Sequence, residues 1–184
     1  MNNHEIRLVG SGGQGVILAT VILAEAAVQS GHYTAQSQSY GPEARGSLCK
    51  AETIISDKPI GFTKIQSPSF WLTLTQTAVD QCAHLISDHQ LMLIDASLDI
   101  PHELDSSRLV VLPILGTAQN EIGKTQTANI VAVGCINELL GIADGKVIRQ
   151  AVLKHVPKGT EELNLKALEA GVRLAQDWKK DHVG

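Results

Sequence analysis

Apolar positions along this chain fall into two kinds of run, short ones closed by turn residues and long ones free of charge, and their alternation predicts an α/β fold. Residues 6–9, 90–94 and 109–112 are apolar runs of strand length, and residues 48–55 alternate as a half-buried strand does. Residues 33–37 read as a further strand, and 56–59 (Ser-Asp-Lys-Pro) as a turn. Residues 16–27 and 127–140 have the length and Ala, Leu and Val content of helices. Ser67-Pro68-Ser69 predicts the start of a helix through Trp71, Leu74, Ala78 and Cys82, whereas residues 116–123 read as a polar loop. Residues 144–156 and 160–178 close the sequence as amphipathic helices, with Glu161 and Glu162 favouring the N-terminus of the second. Strands alternating with helices imply a Rossmann-like three-layer α/β sandwich, a mostly parallel sheet with helices on both faces. Because no linker, repeat or low-complexity tract interrupts the pattern, residues 1–184 are expected to form one domain.

Charge sharpens this picture by its absence. No charged residue occurs from 8 to 24 or from 125 to 137, although a surface helix should show one polar side. Each of these helices is therefore either central core or a seam against another subunit. The chain as a whole is 18% charged with a net charge of −4 and has no basic cluster, which excludes a nucleic-acid partner. The run 8–24 is no membrane span, since four glycines, a serine and a glutamine fill its first half. The polar start Met1-Asn2-Asn3-His4-Glu5 is not a signal peptide, and the expected location is cytoplasmic. Cys49, Cys82 and Cys135 lie far apart without C-x-x-C pairing, which suits buried apolar residues in a reducing compartment and suggests neither disulfide, zinc nor iron–sulfur site. The seven histidines show no metal-ligand spacing.

Candidate chemistry gathers at two places. Gly10, Gly12 and Gly15 form G-x-G-x-x-G between the first strand and the first helix, where unpaired backbone N–H groups face an anion favourably. A dinucleotide site would also need an acidic residue at the end of the second strand, and Gln36, Ser37, Gln38 and Ser39 occupy that place, which argues against bound NAD. The second place is residues 38–47, which hold Tyr40, Glu43 and Arg45 among Gly41, Pro42 and Gly46 with no apolar neighbours to bury them. This is either a solvated loop with a Glu43–Arg45 pair or a binding loop. Arg45 is its best anion contact, because a guanidinium pairs bidentately with carboxylate or phosphate. Asp95, at the end of a strand, is either a ligand contact or a cap. No Ser–His–Asp set, metal spacing or paired carboxylates emerge, so no catalytic residue is assigned.

The combination V-G-S-G-G-Q-G-V, an I-L-A-E-A-A helix and Q-S-Y-G-P-E-A-R-G-S resembles the gamma subunit of 2-oxoacid:ferredoxin oxidoreductases, the unit also fused into single-chain pyruvate:ferredoxin oxidoreductases. The resemblance extends to Asn129, Gly134, Asn164, Ala167, Leu168 and Gly171; one departure is Ser47, where the family commonly has a second glycine after the arginine. It implies a gamma-type domain in a heteromer with alpha and beta subunits, and a delta subunit where one is present, reducing ferredoxin; in isolation the chain could pair as a homodimer. It further implies CoA-dependent oxidative decarboxylation, with 2-oxoglutarate the first choice of substrate and pyruvate, branched-chain and aryl 2-oxoacids behind it. Thiamine diphosphate, magnesium and iron–sulfur clusters would belong to the complex, with coenzyme A as acyl acceptor and no cofactor held by this chain alone. Gly10, Gly12, Gly13, Gln14, Gly15, Tyr40, Glu43, Arg45, Gly46 and Ser47 become candidate contacts to a ligand or to the subunit interface. The rival readings are a free-standing nucleotide- or flavin-binding Rossmann-type protein and a scaffold without ligand contacts.

Overall fold

A computed structural model describes residues 3–40, 48–87 and 89–182. Six strands, β1 (His4–Ser11), β2 (Tyr33–Tyr40), β3 (Leu48–Ser56), β4 (Phe70–Thr73), β5 (Leu91–Asp95) and β6 (Leu109–Leu112), form one sheet in the order β2-β3-β1-β4-β5-β6. β1, β4, β5 and β6 pair in parallel, while β3 runs antiparallel to both β1 and β2. The Rossmann-like sandwich with a mostly parallel sheet thus holds. Its distinguishing feature is the reversed strand β3, inserted between β1 and β2, so that β2 lies at the edge.

The larger apolar core joins one sheet face to α1 (Val16–Gln29), α4 (Ala128–Leu140), α5 (Gly145–His155) and α6 (Glu161–His182), with Ile114 and Ala118 of α3 (Ile114–Asn120). A smaller cluster on the opposite face packs Val9, Trp71, Met92 and Ile94 under α2 (Gln76–Cys82). Helix α1 stops where Ser30 N–H donates to Ala26 O and His32 N–H to Ala27 O around Gly31, whose φ of 88° suits glycine. Two glycines bring α4 and α6 into backbone contact. A Cβ on Gly134 would fall on Leu168 O, one on Gly171 would fall on Val131 O, and Cys135 Sγ donates to Gly171 O at 3.3 Å.

Three local expectations are corrected. The segment expected to be helical from Ser67 begins instead with β4, whose four residues are all buried because a parallel strand is covered on both faces and so lacks alternation. The helix starts only at Gln76, capped where Thr75 Oγ1 accepts from Ala78 N–H at 3.2 Å. Residues 116–123 contain most of α3 rather than only loop, since Ile114, Thr117 and Ala118 share a buried helical face. The second strand continues past Ser37 to Tyr40, because β3 supplies an unbroken antiparallel partner from Ser56 to Cys49.

Candidate functional site at the glycine turn

At the carboxyl end of β1 the chain reverses through Gly12-Gly13-Gln14-Gly15 into α1. Gly13 and Gly15 have φ of 94° and 71°, left-handed values that a side chain resists. Gly15 is forced twice over, since Asn129 of α4 fills the space of its missing Cβ and donates from Nδ2 to Gly15 O at 3.3 Å. Gly10 is needed for another reason: a Cβ there would sit 2.5 Å from Gln14 Oε1. The Gln14 side chain folds back over the turn, accepting from Ser11 N–H at 2.7 Å and donating to Leu74 O at 3.1 Å. Gln14 therefore staples the turn to the end of β4. Gly12 and Gly13 are exposed and face open space, and α1 begins with neither a side-chain cap nor an acidic residue in its first turn. Among the described residues, then, no side chain caps the positive end of the helix dipole.

The register brings the second candidate region to the same end of the sheet. Leu48 is opposite Ser11, and Tyr40 is opposite Cys49, so β2 ends and β3 begins beside the glycine turn. Glu43, Arg45, Gly46 and Ser47 lie outside the described residues, as does the side chain of Tyr40. Asp95, on the same sheet edge, is fully buried and committed as a cap: Oδ1 accepts from Ser97 N–H at 2.9 Å and Oδ2 from Leu115 N–H at 2.7 Å.

The inserted strand bears directly on the nucleotide-binding alternative. In a dinucleotide fold the second strand neighbours the first and delivers its acidic residue to the ribose. Here β3 intervenes, so the end of β2 is displaced by about 4.8 Å, one further strand spacing, and it carries Gln and Ser rather than an acid. Among the described residues no group of three or more His, Cys, Asp or Glu could hold a metal ion. Cys49, Cys82 and Cys135 are free and buried on β3, α2 and α4, and burial pushes all three thiols up.

One polar row went unnoticed in the sequence. On the α2 side of the sheet Arg7 Nε donates to Glu52 Oε1 at 2.5 Å, Nη2 donates to Ile65 O at 3.1 Å, and the guanidinium lies 4.8 Å from the centre of the Trp71 ring. Ser37 Oγ donates to Glu52 Oε2 at 2.9 Å, while Trp71 Nε1 donates to Gln90 Oε1 at 3.1 Å. The row ties β2, β3, β1 and β4 to the segment through Ile65. A single Arg and Glu on two strands read as solvent-facing residues, and only their register opposite one another reveals the pair.

Fold and turn together define a Rossmann-like α/β chain with a glycine turn and, among the described residues, no acid at the end of β2. Residues 5–174 match the model of the pyruvate ferredoxin/flavodoxin oxidoreductase family, and the chain belongs to that family. It is 42% identical over 177 residues to the 2-oxoglutarate synthase subunit KorC of Methanocaldococcus jannaschii, covering 94% of each chain. Its structure is similar to the gamma subunit of a keto/oxoacid ferredoxin oxidoreductase from Geobacter sulfurreducens, with a TM-score of 0.84 at 38% identity, over 96% of this chain and 98% of that one. The 2-oxoglutarate:ferredoxin oxidoreductase of Magnetococcus marinus shares the fold, with a TM-score of 0.86 at 20% identity, over 96% of this chain and 32% of that one. Among the described residues no helix is long and apolar enough to cross a membrane.

Proposed function

We propose that this chain is the gamma subunit of a heteromeric 2-oxoacid:ferredoxin oxidoreductase acting on 2-oxoglutarate, which converts the 2-oxoacid and CoA to acyl-CoA, CO2 and reduced ferredoxin. The observation that carries the reading is the match to the KorC subunit over 94% of each chain. Residues 1–184 act as one unit, partnered by alpha and beta subunits in the cytoplasm.

In the complex, thiamine diphosphate with magnesium supplies carbanion stabilisation and the clusters carry electrons to ferredoxin. The described residues of this chain do not fit a cluster or metal centre, because their thiols are buried on separate elements and no other donor set gathers. No step is therefore assigned to such a group here. What fits the chain is a phosphate or carboxylate of CoA or substrate. The exposed backbone of Gly12 and Gly13 before α1 offers donors and a favourable dipole. Gln14 holds that backbone in place through Ser11 and Leu74. Arg45, with Tyr40, Glu43, Gly46 and Ser47 around it in sequence, supplies the charged fork.

The test is the Arg45→Ala variant in the assembled enzyme. A lost charge-assisted pair of about 1.5–3 kcal/mol raises KM for CoA or 2-oxoglutarate by roughly 10- to 100-fold with assembly intact. Unchanged kinetics would reduce the loop to a scaffold. An enzyme that turns over pyruvate but not 2-oxoglutarate would overturn the assignment of substrate.

A further inference from the structure

The sheet has two edges, and they are built differently. β6 is four residues long. β2 is eight residues long and pairs with β3 without a bulge from Tyr33 to Tyr40, and among the described residues no strand pairs with its other side. Proteins protect such an edge with charge, proline, a bulge or shortness. Tyr-Thr-Ala-Gln-Ser-Gln-Ser-Tyr has none of these. Beside it, Ile17 and Val21 of α1 and Gln36 and Gln38 of β2 line an open groove. Ile17, Val21 and Val28 fall on one helical stripe, in which Val28 is 55% exposed. The long unprotected edge thus adjoins an apolar stripe that is half-buried at Ile17 and Val21 and exposed at Val28.

We propose that this edge is a self-association surface, on which β2 of a second copy adds antiparallel about a twofold axis normal to the sheet. The inference is independent of the oxidoreductase reading. Three features select a second copy. With the axis at Ser37, Gln36 meets Gln38 twice on the α1 face, so the amides can exchange hydrogen bonds. On the other face Ser37 meets Ser37, and Ala35 meets Ser39, leaving no bulk to prevent closure. Since no residue from Tyr33 to Tyr40 is charged, identical strands meet without repulsion, whereas a charged partner would find no complement. The same axis carries α1 to the same face of the extended sheet, where the stripes of the two copies oppose one another across the seam. That apolar contact is needed, because a stable dimer buries roughly 800 Å² per partner, more than one strand edge supplies.

Gln36 and Gln38 are exposed, so both can be changed without disturbing the monomer. In sedimentation equilibrium the full chain should be a dimer. Gln36→Lys with Gln38→Lys places like charges opposite each other and weakens the dimer by about a hundredfold or more, as does Gln36→Glu with Gln38→Glu. Equal parts of the lysine and glutamate variants should restore a mixed dimer, with the same circular dichroism throughout. A monomeric parent chain, variants that dimerise as the parent does, or a mixture that stays monomeric would each overturn the proposal. So would amide exchange at residues 34–39 that slows only when other subunits of the oxidoreductase are added, since this would give the edge to a different chain's strand.

Discussion

Helices α1 and α4 carry the same sequence signature, long and uncharged up to Ala24 in one and up to Asn137 in the other, yet the structure uses them differently. Every residue of α4 from Ala128 to Asn137 is buried, and the helix contributes to the core alongside α1 and α6. Helix α1 buries Ala19, Ile22, Leu23, Ala26 and Ala27, but Ile17, Leu18 and Val21 are only half-buried and Val28 is exposed. Absence of charge therefore tells that a helix expects cover, not who provides it. What distinguishes α4 is its glycine: Gly134 and Gly171 let two backbones touch, a contact that only the chain's own α6 makes. Helix α1 has no glycine of its own, and the comparable contact lies at Gly15, the residue before it.

The largest effect should come from closing that approach. Gly171→Ala would drive a methyl group into Val131 O, and we expect a loss of about 3 kcal/mol, seen as a fall in Tm of roughly 6–12 °C. An unchanged Tm would mean that α4 and α6 separate freely and that the contrast with α1 is false. Next is the joint between the two helices. Gly15→Ala combines a left-handed φ with the Asn129 amide and should cost about 2 kcal/mol. Because part of that cost is collision, the Gly15→Ala, Asn129→Ala double variant should be less destabilised than the sum of the two by about 0.5 kcal/mol or more; strict additivity in denaturant titrations would separate the two sites.

Smaller still is Val28→Lys on the stripe of α1. Its effect on the monomer should stay within about 0.5 kcal/mol, in contrast to a charge placed in the buried run of α4 from Ala128 to Asn137, and a larger loss would put the stripe in the core. The smallest effect concerns the flank of α1 facing α5. The Lys154 ammonium, assisted by Gln29, holds the Glu25 carboxyl below its ordinary value of 4.5. A depressed carboxylate contributes stability that is present above its unfolded value and lost as pH falls through the folded one. Because Glu25 is at the surface, the contribution is slight. The Tm difference between the parent and Glu25→Gln should thus shrink from about pH 6 to about pH 3.5, and a gap that widens on acidification would reverse the sign.

Much of the fold was legible because local signals agreed. Glycines at positive φ, an apolar strand before them and a helix uncharged up to Ala24 after them identify the β1–α1 turn from residues 6–27 alone. β4 was misread as helix because a short strand buried on both faces shows no period, and α3 because one buried face of seven residues is too brief to stand out from a polar segment. The insertion of β3 was invisible for a different reason: strand order is a long-range property, and a strand's own residues do not state which neighbour it pairs with. At the site, Gly13 and Gly15 were recognisable by type, whereas the role of Gln14 as a staple depends on Leu74, sixty residues away. Arg7 and Glu52 were passed over because each looks solvated until the register sets them opposite one another.

If, as proposed, this family member provides shape and contact surface to chemistry housed in other subunits, ferredoxin reduction needs both, and omission in reconstitution separates them. Thiamine- and cluster-loaded partner subunits would be assayed for 2-oxoglutarate- and CoA-dependent ferredoxin reduction with the chain, without it, and with the chain alone. Turnover is expected only when the chain and its partners are combined, and none from the chain by itself. Full activity in its absence, or turnover by the isolated chain, would contradict it.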